Sequence, residues 1–378
     1  MTIPATKIFR HSLLILFVSV LVTGTHTAGA QEKLDSLLYE EYEPVSTLVV
    51  DQNPIEMARF PFIDVHAHHF RGDEYDDARI AEVIADMDGL NMGLAVNLSG
   101  GWGDKLVDMI ASMKGRYPDR FVIFTNINFD NMGEPGWTDR EVARLEEGVR
   151  NGAQGLKIYK SLGLSTVDQT GARLATNDPR LDPIWAKAGD LGIPVLIHTG
   201  EPSPFWSDRD RFNERWLELK QYPNRYRDPD VFPSWEEVMA EQHDIFRKHP
   251  GTNFINAHLG WYGNDLAGMG ELMERYPNMY TELGAVLAEL GRQPRTARAF
   301  LIKYKDRVMF GKDSGAPDEY RVYFRTFETA DEFFDYYRKR HAHWKLYGLD
   351  LPDDVLRHIY YRNAIRVIPG IDASNFPE

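Results

Sequence analysis

The stretch that decides the fold is 62–69, which reads FIDVHAHH. Its first half is rich in the apolar and β-branched residues that favour a buried β-strand. In a strand, residues i and i+2 point to the same side, about 6.6 Å apart along the chain. His66 and His68 can therefore face one side of the strand's carboxyl end and bind the same ion.

Seven further β-like runs follow, separated by amphipathic, helix-like segments. The eight predicted strands are 62–65, 93–97, 121–127, 155–159, 194–197, 253–256, 279–283 and 307–310. The helix-like segments include 76–90, 105–114, 141–151, 183–191, 235–248, 266–276 and 296–304. This alternation indicates βαβ units with a parallel sheet, and eight units make a closed (β/α)8 barrel, the TIM barrel of the α/β class. An open doubly wound sheet is the alternative, but no Gly-x-Gly-x-x-Gly sequence follows the first strand.

The connection after the fifth strand is longer than the others and contains an inserted loop, 201–234. This insertion is rich in arginine and in aromatic residues, among them Trp206, which we predict to bind substrate. A long loop at the mouth of a barrel can form a lid or a specificity wall over the active site. A surface pad or an oligomer contact is the other interpretation, and the sequence does not separate the two.

The ends of the chain lie outside the barrel pattern. We predict a signal peptide at 1–30, an N-terminal extended segment at 31–59, a barrel domain at 60–370 and a C-terminal tail at 371–378. Extra helices are predicted at 332–340 and 352–367, after the last strand.

The first thirty residues have the pattern of a secretory signal. Lys7 and Arg10 precede a short apolar run, and the small residues Ala28, Gly29 and Ala30 follow it. The apolar run of about ten residues is half the length that a transmembrane helix needs, which disfavours an uncleaved anchor. We therefore predict cleavage after Ala30 and a secreted or periplasmic protein without stable membrane insertion.

Composition narrows the class of protein further. The 378 residues carry a formal net charge of −14, which argues against a nucleic-acid binder that neutralises phosphates. Cysteine is absent, so disulfides, thiolate metal ligands and a cysteine nucleophile are excluded. We expect a small-molecule substrate as the partner, and the sequence leaves a homo-oligomer open.

Four more chemically capable side chains lie at the carboxyl ends of predicted strands. Lys157 is on strand four, and His198, His258 and Asp313 follow strands five, six and eight. Any one of these residues could be structural, but their joint placement with the two histidines of the first strand indicates a site. Imidazole and carboxylate ligands, three or four with an open position, suit a catalytic divalent ion. Barrel enzymes carry their active sites at this face.

This ordered set of residues resembles the amidohydrolase superfamily. The segments 63–68 (IDVHAH), 257–260 (AHLG) and 310–313 (FGKD) look most similar to its amidohydrolase-related branch, the amidohydrolase 2 type. The resemblance covers roughly 60–370 and implies a metal-dependent hydrolase or a non-oxidative decarboxylase. Lys312 departs from the resemblance, because that branch often has a small or polar residue just before the aspartate.

The resemblance implies ligands for a divalent metal, which we expect to be zinc. In the one-metal form, which we favour, the ligands would be His66, His68, His198 and Asp313, with His258 beside the bound water.

A two-metal form would need carboxylation of Lys157, which would then bridge the two ions. The histidine pair of the first strand and Asp313 would hold one ion, while His198 and His258 would hold the other.

A divalent ion lowers the pKa of a coordinated water from about 15.7 to about 7, which provides a nucleophile near neutral pH. Asp313 can accept a proton from that water and later deliver it to the leaving group, while His258 orients the water or polarises the substrate. Tyr159, Lys160 and Glu282 lie near the same rim and are predicted to bind substrate.

Three functions are compatible with these residues. The first is a metal-dependent hydrolase acting on an amide, ester or lactone. The second is a metal-dependent decarboxylase of an aromatic or unsaturated carboxylic acid. The third is an exported, non-catalytic binding protein on the same barrel, which the complete ligand set disfavours.

Overall fold

A computed structural model describes residues 36–70, 75–341 and 344–378. The predicted signal peptide lies outside these residues. The chain divides into two compact units at Leu48, and the described part of the first unit contains a short 3-10 turn at Tyr39–Glu41. Within the described residues, no helix combines the length and the apolar character needed to cross a bilayer.

Eight parallel strands form one sheet in the order β1 to β8. Their bounds are Phe62–Ala67, Met92–Asn97, Phe121–Asn126, Gly155–Ile158, Val195–Ile197, Phe254–Asn256, Met279–Glu282 and Val308–Met309. The ring closes through two hydrogen bonds between β1 and the end of β8: Val65 N donates to Phe310 O at 3.0 Å, and Asp313 N donates to His66 O at 2.8 Å. The predicted (β/α)8 barrel is confirmed, with all eight strands close to their expected positions.

Nine helices, α1 to α9, lie between the described strands, and three more, α10 to α12, follow β8. Their bounds are Asp77–Leu90, Gly103–Lys114, Trp137–Arg150, Asp182–Asp190, Trp216–Gln221, Trp235–Lys248, Leu266–Arg275, Leu287–Gly291, Pro294–Lys303, Pro317–Glu328, Asp353–Arg357 and Asn363–Val367. In α1 the buried residues Ile80, Val83, Met87 and Leu90 recur at the helical spacing of three or four. Apolar strands inside a ring of such helices give one continuous core.

The insertion after β5 folds into short turns and the small helix α5. Trp206 and Phe232 from the insertion pack with Val238 and Met239 of α6, forming a satellite core beside the barrel. Arg215, which is buried, donates to Glu218 Oε2 at 3.0 Å and also pairs with Glu289 from the segment after β7. These contacts fasten the insertion to the barrel.

The region after β8 departs in part from the sequence-based expectation. The predicted helix at 332–340 is wrong, because Phe334 N and O exchange hydrogen bonds with Leu346 O and N at 3.0 and 2.8 Å. Phe334 is buried, Phe333 has a left-handed φ of 58°, and only a short 3-10 turn forms nearby, at Lys339–His341. Helix α10 was not predicted. The predicted helix at 352–367 is present as α11 and α12 joined by a π-helical turn, His358–Arg362.

Phe62 tests how much the aromatic cluster beside β1 and β8 stabilises the barrel. Its ring is fully buried and lies 4.7 Å from the ring of Phe310 and 5.3 Å from that of Phe324. We expect Phe62→Ala to lower the free energy of unfolding by about 3–5 kcal/mol in urea denaturation, because it leaves a cavity. Phe212→Ala is the control, since 78% of Phe212 is exposed, and should change it by less than about 0.5 kcal/mol. Equal effects of the two substitutions would contradict this packing.

Candidate metal centre

His66, His68 and Asp313 meet where β1 and β8 end. One nitrogen of each histidine and one oxygen of the aspartate lie within 4.8 Å of one another. The Nε2 atoms of both histidines are 3.4 Å from Asp313 Oδ1. Asp313 adopts a left-handed backbone conformation (φ 66°), and its N–H is fixed on His66 O. The last hydrogen bond of barrel closure thus also sets the position of this carboxylate.

His198 and His258 add a second group that shares His66. One ligand nitrogen from each of the three lies within 4.8 Å of the others. His258 Nε2 is 3.4 Å from His198 Nδ1 and 3.9 Å from Asp313 Oδ2. The structure therefore brings together the five imidazole and carboxylate groups that the strand ends predicted.

Two of the histidines have their tautomer set by an acceptor behind the ring. His66 Nδ1 donates to Glu282 Oε1 at 2.9 Å, and His258 Nδ1 donates to the carbonyl oxygen of Gly284 at 2.8 Å. Because Nδ1 carries the proton in each ring, Nε2 presents its lone pair to the site. This is the arrangement by which proteins orient metal-binding histidines.

Glu282 has a different place from the one expected. We predicted a substrate-binding residue at the rim, but the side chain is fully buried at the end of β7. Besides the His66 ring, its carboxylate accepts hydrogen bonds from His258 N at 2.7 Å and from Gly284 N. Burial raises the pKa of Glu282. With its oxygens occupied in this way, the carboxylate fixes the His66 ring and the backbone of His258.

Lys157 lies on β4 with its side chain buried, and its Nζ makes no hydrogen bond. The nitrogen is 5.5 Å from the centre of the Tyr159 ring. Burial lowers the pKa of Lys157 to about 8, against the opposing pull of Asp313 and Glu282. A buried amine without a partner is rare in a stable interior and marks a position where another group can be accommodated.

Burial disfavours the protonated form of three of the site histidines, His66, His68 and His198. Burial lowers the pKa values of His66 and His198 well below the usual value for histidine. It also lowers the pKa of His68. Neutral imidazole is the form that binds a metal, so protons compete weakly for these rings at neutral pH.

Asp64 and Lys312 support the site from outside it. Asp64 Oδ1 accepts from His66 N at 2.9 Å, and Asp64 Oδ2 accepts from Tyr320 OH at 2.5 Å. Burial raises the pKa of Asp64 to about 6. The side chain of Lys312 is buried against Glu319 and Ser314, so the residue that departs from the family resemblance does not join the ligands. The sequence contains a signal for Asp64, because it precedes His66 by two residues and side chains at this spacing point to the same side of a strand.

A left-handed turn follows β6 and carries His258. The φ angles of His258, Leu259, Gly260 and Trp261 are 59°, 52°, 56° and 62°. Each non-glycine residue in this conformation costs roughly 1–2 kcal/mol. A Cβ on Gly260 would lie 2.3 Å from Asn256 Nδ2, so only glycine fits at that position. Sequence patterns do not reveal such a turn, because it depends on the packing around it.

Two of the remaining predicted substrate-binding residues, Tyr159 and Lys160, follow β4 at the mouth of the barrel, whereas the third, Trp206, lies in the satellite core. Tyr159 is 38% exposed, and its OH donates to Leu98 O at 2.9 Å. Lys160 Nζ donates to Glu201 Oε1 at 2.5 Å, which ties the rim to the insertion. Trp206 lies in the satellite core, where its Nε1 donates to Pro233 O at 2.8 Å. None of these three residues belongs to the groups of converging ligand atoms.

The residues present fit a divalent metal ion. Among the described residues, His66 Nε2, His198 Nε2 and Lys157 Nζ are buried without a hydrogen-bond partner, and they lie among the converging donors. Buried polar atoms are normally paired, so this concentration of unpaired nitrogens indicates a ligand of the site. Imidazole and carboxylate donors suit zinc, manganese or a similar ion.

Solved structures with this fold resemble the chain at low sequence identity. A provisionally assigned amidohydrolase from Staphylococcus aureus has a TM-score of 0.52 and 17% identity, covering 82% of this chain and 99% of its own. Dihydroxybenzoic acid decarboxylase from Polaromonas, solved with bound manganese and 2-nitroresorcinol, has a TM-score of 0.51 and 14% identity, covering 84% and 99%. At these identities the likeness establishes the barrel fold alone.

Sequence comparisons give the family. No curated protein matches the chain. The model of the amidohydrolase family Amidohydro_2 matches residues 63–370, which contain every proposed ligand and all eight strands except the first residue of β1. By fold, by the order of its strand-end residues and by this match, the chain belongs to the amidohydrolase 2 family.

Proposed function

We propose that this protein is an exported, metal-dependent hydrolase that acts on an amide, ester or lactone. The observation that carries the proposal is the convergence of histidine nitrogens and the Asp313 carboxylate at the barrel mouth, two of the nitrogens buried without a hydrogen bond. The residues that would hold one ion are His66, His68, His198 and Asp313. N-terminal sequencing of the exported protein tests the cleavage after Ala30.

A bound divalent ion supplies Lewis acidity and makes a coordinated water more acidic. Asp313 supplies the base: its side chain is 30% exposed, and Oδ2 is 3.9 Å from His258 Nε2. It can accept a proton from the attacking water and return it to the leaving group. His258, with its proton held on Nδ1 by Gly284 O, offers Nε2 to orient the water.

The substrate is expected to approach past the rim formed by Tyr159, Lys160 and the insertion. The Lys160 side chain is 44% exposed, although its ammonium group forms an ion pair with the Glu201 carboxylate. Arg227 also donates to Glu201 Oε1, at 3.1 Å. Two cations around one carboxylate leave one positive charge unbalanced, which supports a substrate with an anionic group.

The reaction class is tested with metal-loaded protein on a panel of esters, lactones, amides and aromatic acids. We expect hydrolysis of at least one ester, lactone or amide, followed as acid release, and its loss in Asp313→Asn because the base is removed. Asp318→Asn is the matched control, since Asp318 lies on the exposed start of α10. Release of CO2 from an aromatic acid, without hydrolysis, would contradict the hydrolase and assign a decarboxylase.

Metal content tests the ligand set directly. We expect wild-type protein reconstituted with zinc to bind one ion per chain. Both ligand groups share His66, so its replacement should weaken zinc binding strongly. The loss should exceed the roughly 10–100-fold that is typical when a residue hydrogen-bonded to a ligand is removed. Elemental analysis after dialysis of His66→Ala measures this.

His249→Ala is the control for that experiment, because His249 pairs with Asp182 at 3.1 Å outside the site. If wild type and His66→Ala bound the same amount of zinc, the metal centre would be contradicted. If neither protein bound zinc, the non-catalytic binding protein would be favoured. Two ions per chain, with extra density on Lys157 in a crystal structure, would contradict the one-metal form.

Glu282→Gln tests the role that the structure gives this carboxylate. An amide keeps the shape but loses the charge that holds the His66 proton, so zinc affinity should fall roughly 10–100-fold. The measurement is competitive zinc titration. Glu271→Gln, at an exposed position of α7, should leave the affinity unchanged. Unaltered affinity in Glu282→Gln would show that the His66 ring needs no acceptor.

A further inference from the structure

Lys312, the residue that departs from the family resemblance, takes no part in the proposed mechanism. Its side chain is fully buried and pairs with Glu319, in the first turn of α10, and with Ser314 Oγ. Glu319 Oε2 also accepts from Ser314 Oγ at 2.8 Å and from Arg338 at 3.2 Å. The ammonium group is therefore held by the loop and the helix that follow β8.

Both ends of Lys312 are fixed. Its backbone N–H donates to Asp64 Oδ1 on β1 at 3.2 Å, and its Nζ lies 5.2 Å and 5.3 Å from the centres of the Tyr320 and Tyr337 rings. A charged amine that is hidden from water is costly unless a carboxylate and hydrogen bonds compensate it, so the amine and Glu319 are expected to stay together. Lys312 consequently connects β1, the end of β8 and α10.

The loop 313–316 lies within this connection and presents Asp313. The φ of Asp313 is 66°, a left-handed conformation that a residue other than glycine keeps only where its surroundings fix it. On one side its N–H donates to His66 O at 2.8 Å, and on the other side Ser314 is held through its hydroxyl group by Lys312 and Glu319. The Asp313 carboxylate is thereby kept 3.4 Å from Nε2 of His66 and of His68.

We propose that Lys312 is a positioning residue of the metal centre, which acts through Asp313. Its pair with Glu319 holds the loop that directs the Asp313 carboxylate toward the ion. The inference rests on the proposed function, because it takes Asp313 to be a metal ligand.

The charge of Lys312 and its positioning role have opposite effects on metal affinity. A buried cation repels a divalent ion nearby, so loss of the ammonium group would strengthen zinc binding if charge were the dominant effect. If the ammonium group positions Asp313, its loss weakens zinc binding, because the carboxylate is no longer directed toward the ion. The sign of the change therefore distinguishes the two effects.

Competitive zinc titration of Lys312→Met tests the inference, because methionine has a similar length but no charge. We expect the affinity to fall roughly 10–100-fold, the range typical for loss of a group that supports a ligand. In the double variant Lys312→Met/Asp313→Asn, the affinity should be no weaker than in Asp313→Asn alone, because the carboxylate that Lys312 positions is already absent. A general effect on the fold would instead weaken zinc binding in both backgrounds.

Glu319→Gln is the second variant, and it breaks the same pair from the side of α10 while keeping the shape of the side chain. We expect weaker zinc binding here too, and no further weakening when Glu319→Gln is combined with Asp313→Asn. This variant keeps the test decisive if Lys312→Met does not fold.

Lys303→Met is the matched control. Lys303 also pairs with a glutamate, Glu274, at 2.7 Å, but its side chain is 63% exposed on α9. The substitution should leave the zinc affinity unchanged.

Unchanged or stronger zinc binding in Lys312→Met would overturn the inference. Equal weakening with and without the Asp313 carboxylate would also overturn it, and both results would leave the metal centre intact. Failure of wild type to bind zinc would overturn the proposed function itself, and this inference with it.

Discussion

The carboxylate of Glu282 accepts hydrogen bonds from the His66 ring on β1 and from the backbone of His258 after β6, although it belongs to β7. It therefore connects three strand ends whose side chains form the candidate metal centre. A buried carboxylate is costly unless several donors surround it, and here backbone N–H groups supply part of that compensation. The same bonds that make its burial tolerable set the tautomer of His66 and the start of the left-handed turn.

Barrel closure and ligand placement are coupled in the same way. The N–H of Asp313 donates to His66 O, so the bond that completes the ring between β8 and β1 also brings two ligands together. Asp64 adds to this coupling by accepting from the backbone N–H groups of His66 and Lys312, one on each side of the closure. Fold stability and site geometry consequently depend on shared hydrogen bonds, and a disturbance of one reaches the other.

The sequence predicted the barrel and the meeting of its strand-end donors because both follow from local rules. Alternation of short apolar runs with amphipathic segments fixes the topology, and parallel strands carry their carboxyl ends to one face. The positions of His66, His198 and Asp313 at this face could be predicted from the strand pattern alone. Lys312 stands next to Asp313 in the sequence, but its amine pairs with Glu319 on α10 and so lies away from the ligands.

Other features depend on contacts between segments far apart in the chain, which no local pattern contains. Glu282 looked like a rim residue because it ends a strand, but its partners come from β1 and the turn after β6. The aromatic segment at 332–340 has a helix-like spacing, and yet Phe334 pairs with Leu346 and Phe333 has a left-handed φ of 58°, neither of which fits a helix. The turn that carries Trp261 exists only because Asn256 and its neighbours fix it.

The charges around Lys157 bear on how this site can hold several buried nitrogen atoms that make no hydrogen bond. Its amine lowers the pKa of His66 and of His198, in addition to the effect of burial, while Asp313 and Glu282 raise the pKa of the amine. The two carboxylates thus balance the buried cation, and the cation in turn disfavours protonation of the rings. Removal of the positive charge from Lys157, by deprotonation or by carboxylation, would leave an excess of negative charge among neutral imidazoles. Such a cluster would attract a divalent cation, so loss of the positive charge from Lys157 and metal binding favour each other at the mouth of this barrel.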